Sequence, residues 1–339
     1  MTKSRLREKI LSESCVVDAH SHIGMSFSAF VQYGYPYCMS FEDLCIRMRL
    51  LGVDHGVIMT MGSSYYRSSA VPLETVETTE EFCRFPYELE NRNLFTEIYD
   101  VFPEYSEMAL PFVTFDPSRE TEQQAAFMEE MYTRYEFFGL KTVCTYIQSF
   151  VRELATVGRP IVDFARRHDL PILFHSSYDK KDPWAPLADI LDFAETHPDI
   201  RVCLAHSARF HRPSLERAHA LKNCFVDLSA FDIHCLLVRL AHRAVPPPAE
   251  RVAADYNDPA SVMRKMVVDY PATILWGSDT PGNYYIQKHR DSDGALVEVA
   301  LRSVFDREVK FLQSLDAEQQ ELIARRNTAR FLFGQEPLT

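Results

Sequence analysis

The sequence predicts an α/β fold, a closed (β/α)8 TIM barrel, and three observations predict it. Short, near-continuous apolar runs recur along the chain, amphipathic segments lie between them, and ionisable residues close several of the runs. The runs are "CVVDAH" (15–20), "HGVIMTM" (55–61), "ALPFVTF" (109–115), "GLKTVC" (139–144), "PILFHS" (171–176), "RVCLAH" (201–206), "CFVDLS" (224–229) and "TILWGSD" (273–279). Strands this apolar are buried on both faces, as a parallel sheet under helices requires. The segments between them, such as "FEDLCIRMRLLG", "GRPIVDFARRHD" and "APLADILDFAETHPD", space their apolar residues at helical intervals. A chain of 339 residues suits one such barrel, so residues 1–339 are expected to form a single domain.

Two stretches break the rhythm and are expected to be rim or lid insertions. Residues 62–105 are too long for a plain connection, and residues 244–272 open with "AVPPPAERVAADYNDP", whose triple proline cannot continue a helix. After the eighth run, "NYYIQKHRDSDGA" reads as a polar loop before two terminal helices. Phe331, Leu332 and Phe333 should dock the last of these on the barrel. No internal repeat or low-complexity tract is visible.

Composition narrows the function classes. The chain is 46% hydrophobic and 25% charged, a globular balance, and its net charge of −12 argues against nucleic-acid or anionic-membrane partners. No apolar run is long enough to span a bilayer, and "MTKSRLREKILSES" reads as a charged helix rather than a signal peptide. Eight cysteines form no CxxC pair, and Cys15, Cys144, Cys203 and Cys224 sit inside strand-like runs. Reduced thiols packed as small hydrophobes fit a cytoplasmic protein.

The chemistry gathers at strand ends. His20 and His22 stand two apart, so they share one face of the first strand, and in a barrel that face can be the interior. His175, His206 and Asp279 close the fifth, sixth and eighth runs, and Lys141 holds a comparable place in the fourth. C-terminal strand ends are where barrel active sites are built. Imidazole nitrogens and carboxylate oxygens are natural ligands of zinc and similar ions, and burying them together is costly without an ion to pair with. HxH alone fits an ordinary strand; with the other strand-end residues, metal binding is the better reading. Asp18 lies one step deeper and reads as an orienting group rather than a ligand. His55, His168, His197, His219 and His242 read as packed or capping residues.

The motifs "VDAHSH", "GLKTVCTYIQSF", "LPILFHSS", "IRVCLAHS", "NCFVDLSAF", "ILWGSDTP" and "RRNTARFLFG" resemble the amidohydrolase superfamily over residues 15–334. The branch they resemble is the amidohydrolase-related group of aminocarboxymuconate-semialdehyde decarboxylase, related lactonases and aromatic-acid decarboxylases. The resemblance implies that His20, His22, His175 and Asp279 match metal-ligand motifs, and that His206 sits beside water on the metal. It also implies one divalent ion per chain, and histidines with one carboxylate favour zinc. Lys141 has three readings: a carbamate bridging two metals, a contact to an anionic substrate group, or a partner of a buried carboxylate. The usual one-metal chemistry of the branch favours an unmodified amine.

Arg209 and His211 follow the sixth strand, Tyr178, Lys180, Lys181 and Trp184 follow the fifth, and Asn283 and Tyr284 follow the eighth. Each alone reads as a solvated loop residue. The cations among them suggest an anionic small-molecule substrate, with Lys141, Arg209, Tyr178 and Asn283 as expected contacts. The function expected is hydrolysis of a small, carboxylated ester, lactone or amide by a metal-activated water, with Asp279 moving the proton and His206 steering it. The rival is a metal-dependent decarboxylase of an unsaturated or aromatic acid. A non-catalytic binding barrel fits poorly, because every polar position needed for chemistry is present. Homo-oligomerisation is left open.

Overall fold

A computed structural model describes residues 2–25, 38–62, 83–281 and 294–337, together with the backbone of 284–290. Eight parallel strands lie side by side in chain order: β1 (Val17–Met25), β2 (His55–Thr60), β3 (Ala109–Thr114), β4 (Gly139–Thr142), β5 (Ile172–Phe174), β6 (Val202–Leu204), β7 (Cys224–Asp227) and β8 (Ile274–Leu275). The seam between β8 and β1 is closed by backbone bonds. Ala19 N–H donates to Trp276 O (3.0 Å), Asp279 N–H to His20 O (2.7 Å) and His22 N–H to Thr280 O (2.7 Å), with a parallel bridge at Ser21 and Thr280. The fold is the expected α/β TIM barrel. A two-residue strand, Cys38–Met39, pairs antiparallel with the end of β1.

Strand alternation divides the core in two. Leu173, Cys203 and Phe225 point inward and join Val17, Ala19 and Phe112 in an inner cluster. Their neighbours Ile172, Phe174, Val202 and Val226 point outward into the layer shared with the helices. The N-terminal mouth of the barrel is plugged by Leu6 and Ile10 of helix Lys3–Ser12 and by Phe331, Leu332 and Phe333 of helix Asn327–Phe333. Phe331 lies 6.1 Å from Phe112 and 5.7 Å from Phe225, ring to ring. This leaves the C-terminal strand ends as the functional face.

The coat helices follow their signals. Helix Phe41–Leu51 starts at Ser40, whose hydroxyl accepts from Asp43 N–H, and stops at Gly52 in the left-handed conformation. Of the first irregular stretch, 63–82 lie outside the described residues, and Glu88–Thr96 form a helix followed by shorter turns to Met108. Within 244–272, helix Pro259–Asp269 buries Val262, Met263, Met266 and Val267. The segment expected to be a polar loop after β8 is instead half of a hairpin: Tyr284–Arg290 pairs antiparallel with Leu296–Arg302. Leu296–Arg302 alternates exposed and partly buried positions up to the buried Leu301, and its apolar LVEVALR stretch suits a strand or a helix alike. Among the described residues, no helix is long and apolar enough to cross a membrane.

One carboxyl in this coat is out of place in an apolar layer. Glu308, on helix Phe305–Gln313, is fully buried; its Oε1 accepts from Ser303 Oγ and from Asp232 N–H. Its Oε2 has no hydrogen-bond partner among the described residues, and burial pushes the carboxyl up to about 8. Above pH 4.5, the ordinary value, the unfolded chain loses this proton before the folded one does. The folded state therefore loses stability as pH rises toward 8. Glu308→Gln should remove that slope. Urea unfolding at pH 5 and pH 8.5 should show the variant gaining about 1 kcal/mol or more on the native chain at the higher pH. Parallel stability curves for the two proteins would rule the assignment out.

Candidate metal centre

His20 and His22 project from the same face of β1, and Asp279 comes to them across the seam, its N–H bonded to His20 O. Asp279 has φ 59°, a left-handed conformation that turns its side chain off the strand line. The two strands can approach this closely because residue 277 is glycine: a Cβ there would lie 2.8 Å from His20 Cβ. Asp18 completes the seam. It is fully buried, and its carboxylate accepts from His20 N–H (3.0 Å), Ser278 N–H (2.9 Å) and Ser278 Oγ (2.6 Å). It orients the backbone on both sides of the site and offers nothing to an ion.

The donor set can be tested for a cation. His22 Nδ1 lies 2.7 Å from Thr60 O, and His20 Nδ1 lies 2.8 Å from Asp227 Oδ2. A carbonyl and a carboxylate can only accept, so both Nδ1 atoms carry a ring proton, and in the neutral form of each ring Nε2 presents a lone pair. Those lone pairs face one another at 3.1 Å, and Asp279 Oδ1 is 3.3 Å from each. Three acceptors converge, with all three ligand atoms within 4.8 Å of one another. Neutral imidazoles with one carboxylate are what a divalent ion asks for, so the residues fit it.

Lys141, fully buried on β4, places its Nζ 3.2 Å from His20 Nε2, and burial lowers it to about 8. Its contact is to an imidazole rather than to a carboxylate. His175 and His206 stand beside the triad rather than in it. His175 Nδ1 lies 2.9 Å from His206 Nε2, and its Nε2 lies 3.3 Å from Arg209 Nη2. His206 Nδ1 lies 2.9 Å from Ser229 Oγ, and its ring centroid is 5.4 Å from that of His20. Burial, and next the Arg209 guanidinium, push both rings well below the usual histidine range, so both are neutral.

The segment after β6 makes this wall. His206, Ser207, Ala208, Arg209 and Phe210 all have φ between 44° and 65°, five successive left-handed residues without a glycine. Such a turn costs about 1–2 kcal/mol per residue in isolation. Here every residue of it is buried, and Arg209 is clamped by Nε and Nη2 donating to Ser176 O at 2.9 and 2.6 Å.

Other expected contacts lie elsewhere. Tyr178 donates from its hydroxyl to Glu250 Oε2 (2.8 Å) and packs 5.2 Å from His211, on the rim. Trp184 packs on Phe150, and Lys180 and Lys181 are exposed. Asn283 lies outside the described residues, as does the side chain of Tyr284.

Two residues of the wall escape a reading of the sequence. Asp227 ends β7 fully buried, and His234, on helix Phe231–Arg239, is buried with Nδ1 3.2 Å from Arg209 Nη1. Burial alone would raise the Asp227 carboxyl, but the His20 ring and the hydrogen bonds from His20 and Ser229 bring it down to about 2. The signal for Asp227 was there in outline: "FVD" ends an apolar run as "WGSD" does.

A search of curated proteins finds none that matches this chain. Among solved structures, Amidohydrolase 2 from Bifidobacterium longum subsp. infantis is 14% identical, with a TM-score of 0.53 over 95% of this chain and 100% of that one. A 5-carboxyvanillate decarboxylase from Novosphingobium aromaticivorans, complexed with manganese and 4-hydroxy-3-methoxy-5-nitrobenzoic acid, is 10% identical, with a TM-score of 0.55 over 95% and 98%. A beta-aspartyl dipeptidase from Fervidobacterium islandicum, in complex with beta-Asp-Leu dipeptide, is 14% identical, with a TM-score of 0.54 over 94% and 74%. At these identities the likeness is one of fold. The family model described as Amidohydrolase matches residues 17–334, nearly the whole length, and the chain belongs to the amidohydrolase family.

Proposed function

We propose that this chain is a metal-dependent hydrolase of a small, carboxylated ester, lactone or amide. The observation that carries the reading is the convergence of His20 Nε2, His22 Nε2 and Asp279 Oδ1 on one point, with both imidazole protons held on the far nitrogens. His175, which stands beside the triad with its Nδ1 at His206 and its Nε2 at Arg209, would complete the ligand set. When bound, a divalent ion, zinc first for this donor set, polarises a carbonyl and lowers the pKa of water from 15.7 to about 7.

The chain's own residues do the rest. Asp279 keeps some solvent access, accepts the proton of the attacking water and passes it to the leaving group. His206 Nε2 accepts from His175 Nδ1–H, since the Arg209 N–H occupies His175 Nε2, and once that bond opens its lone pair takes and steers the proton. Lys141, as an unmodified amine, and Arg209 hold the substrate carboxylate, with Tyr178 at the rim. Asn283 belongs to the same proposed set.

The first expectation concerns metal. Protein prepared without chelators should carry about one divalent ion per chain by elemental analysis. His20→Ala or His22→Ala should abolish loading. His55→Ala should not, since its Nδ1 is held at Glu107 O at the start of β2. Two ions per chain, or a carbamate on Lys141 in a high-resolution map, would overturn the one-ion site; no ion at all would overturn the metal reading.

The second expectation separates the reaction classes. A screen of lactones, amides and unsaturated or aromatic acids in heavy-oxygen water should place solvent oxygen in the product acid. Asp279→Asn should cut the rate by roughly 10²–10⁴-fold with the ion still held. Release of carbon dioxide, with solvent hydrogen on the former carboxyl carbon and no new oxygen, would identify a decarboxylase instead.

A further inference from the structure

We propose that Asp227 is a positioning residue that sets the tautomer of His20 and ties it to the wall carrying His206. This rests on the metal reading above only in the consequence for ion affinity; the tautomer itself is a property of the ion-free protein.

The carboxylate of Asp227 is surrounded by donors. Its Oδ2 takes His20 Nδ1 at 2.8 Å, with Cys203 Sγ at 3.9 Å. Its Oδ1 takes two backbone groups, His206 N–H at 2.9 Å and Ser229 N–H at 3.0 Å. A carboxylate offers only lone pairs, so the His20 proton is confined to Nδ1 and Nε2 is left bare toward His22, Asp279 and the Lys141 amine. The same side chain grips the first residue of the left-handed turn. One group thus registers a strand-1 ligand against the wall of β6.

An amide of the same shape cannot do both. With its oxygen on the two backbone N–H groups, Asn at 227 would present an NH₂ to His20 Nδ1. The imidazole proton would then move to Nε2, into the place where an ion would sit. Rotated the other way, the amide keeps the His20 tautomer but turns its NH₂ against two backbone donors, leaving them unsatisfied in a buried site. His22 supplies an internal reference, because its Nδ1 proton is held by Thr60 O and owes nothing to Asp227.

The test uses full-length protein with ¹⁵N-labelled histidine, stripped of metal, at pH 8. In the native protein His20 and His22 should both appear as Nδ1–H tautomers. In Asp227→Asn, His20 should shift to Nε2–H while His22 stays as it was. Titration with Zn²⁺ should show affinity reduced about 10–100-fold, and Asp227→Glu should recover part of the loss. A native His20 found as Nε2–H overturns the proposal without any variant, which covers the case in which Asp227→Asn fails to fold. A folded Asp227→Asn with an unchanged His20 tautomer and Zn²⁺ affinity within twofold overturns it as well. Failure of the native protein to bind Zn²⁺ would sink the metal reading while leaving the tautomer assignment to be judged on its own.

Discussion

The closure of the barrel between its last and first strands is the constraint on which the candidate site depends. His20 and His22 belong to one side of that seam and Asp279 to the other, so the three meet only if the strands are held in register. Asp18 does the holding, with Ser278 N–H and Oγ on one flank and His20 N–H on the other. A fully buried carboxylate would be a liability with fewer donors, and burial still raises it to about 7. Gly277 contributes by what it lacks, since any side chain there would meet His20 Cβ.

The polar interior of this barrel interleaves the two signs of charge. Carboxylates from β1, β7 and the end of β8 stand on the side of His20 and His22, and Arg209 with two neutral imidazoles, His175 and His234, stands behind His206. Lys141 reaches in from β4. Arg209 and Lys141 are thus two buried cations set among three carboxylates, whose charge they partly balance.

What could be read from the sequence follows from the range of the interactions. The apolar runs were legible because burial on both faces writes itself into consecutive residues. HxH was legible because two-residue periodicity puts both rings on one wall. Asp227 was not, because its partner His20 is 207 residues away and a strand-end aspartate looks alike whether it orients a ring or faces solvent. His175 shows the opposite limit: its place at a strand end was right, but its ring is turned to His206 and Arg209, a choice made by neighbours on β6. The hairpin after β8 was read as loop because its first strand, YYIQKHR, is largely polar in sequence, and the apolar LVEVALR of its partner passes equally for the start of a terminal helix.

The left-handed turn from His206 to Phe210 bears on how such a pocket can change over generations. Its backbone is held from several sides: Asp227 takes His206 N–H, Ser176 O takes the Arg209 guanidinium, and Phe210 O accepts from Val252 N–H. A β-branched residue at 207 or 208 would be disfavoured there, whereas glycine would relieve the local strain and loosen the chain. Insertions would break a run that works only as five consecutive residues. Diversification at this wall is therefore channelled into exchanging side chains on a fixed trace, above all at position 209, rather than into redrawing the loop.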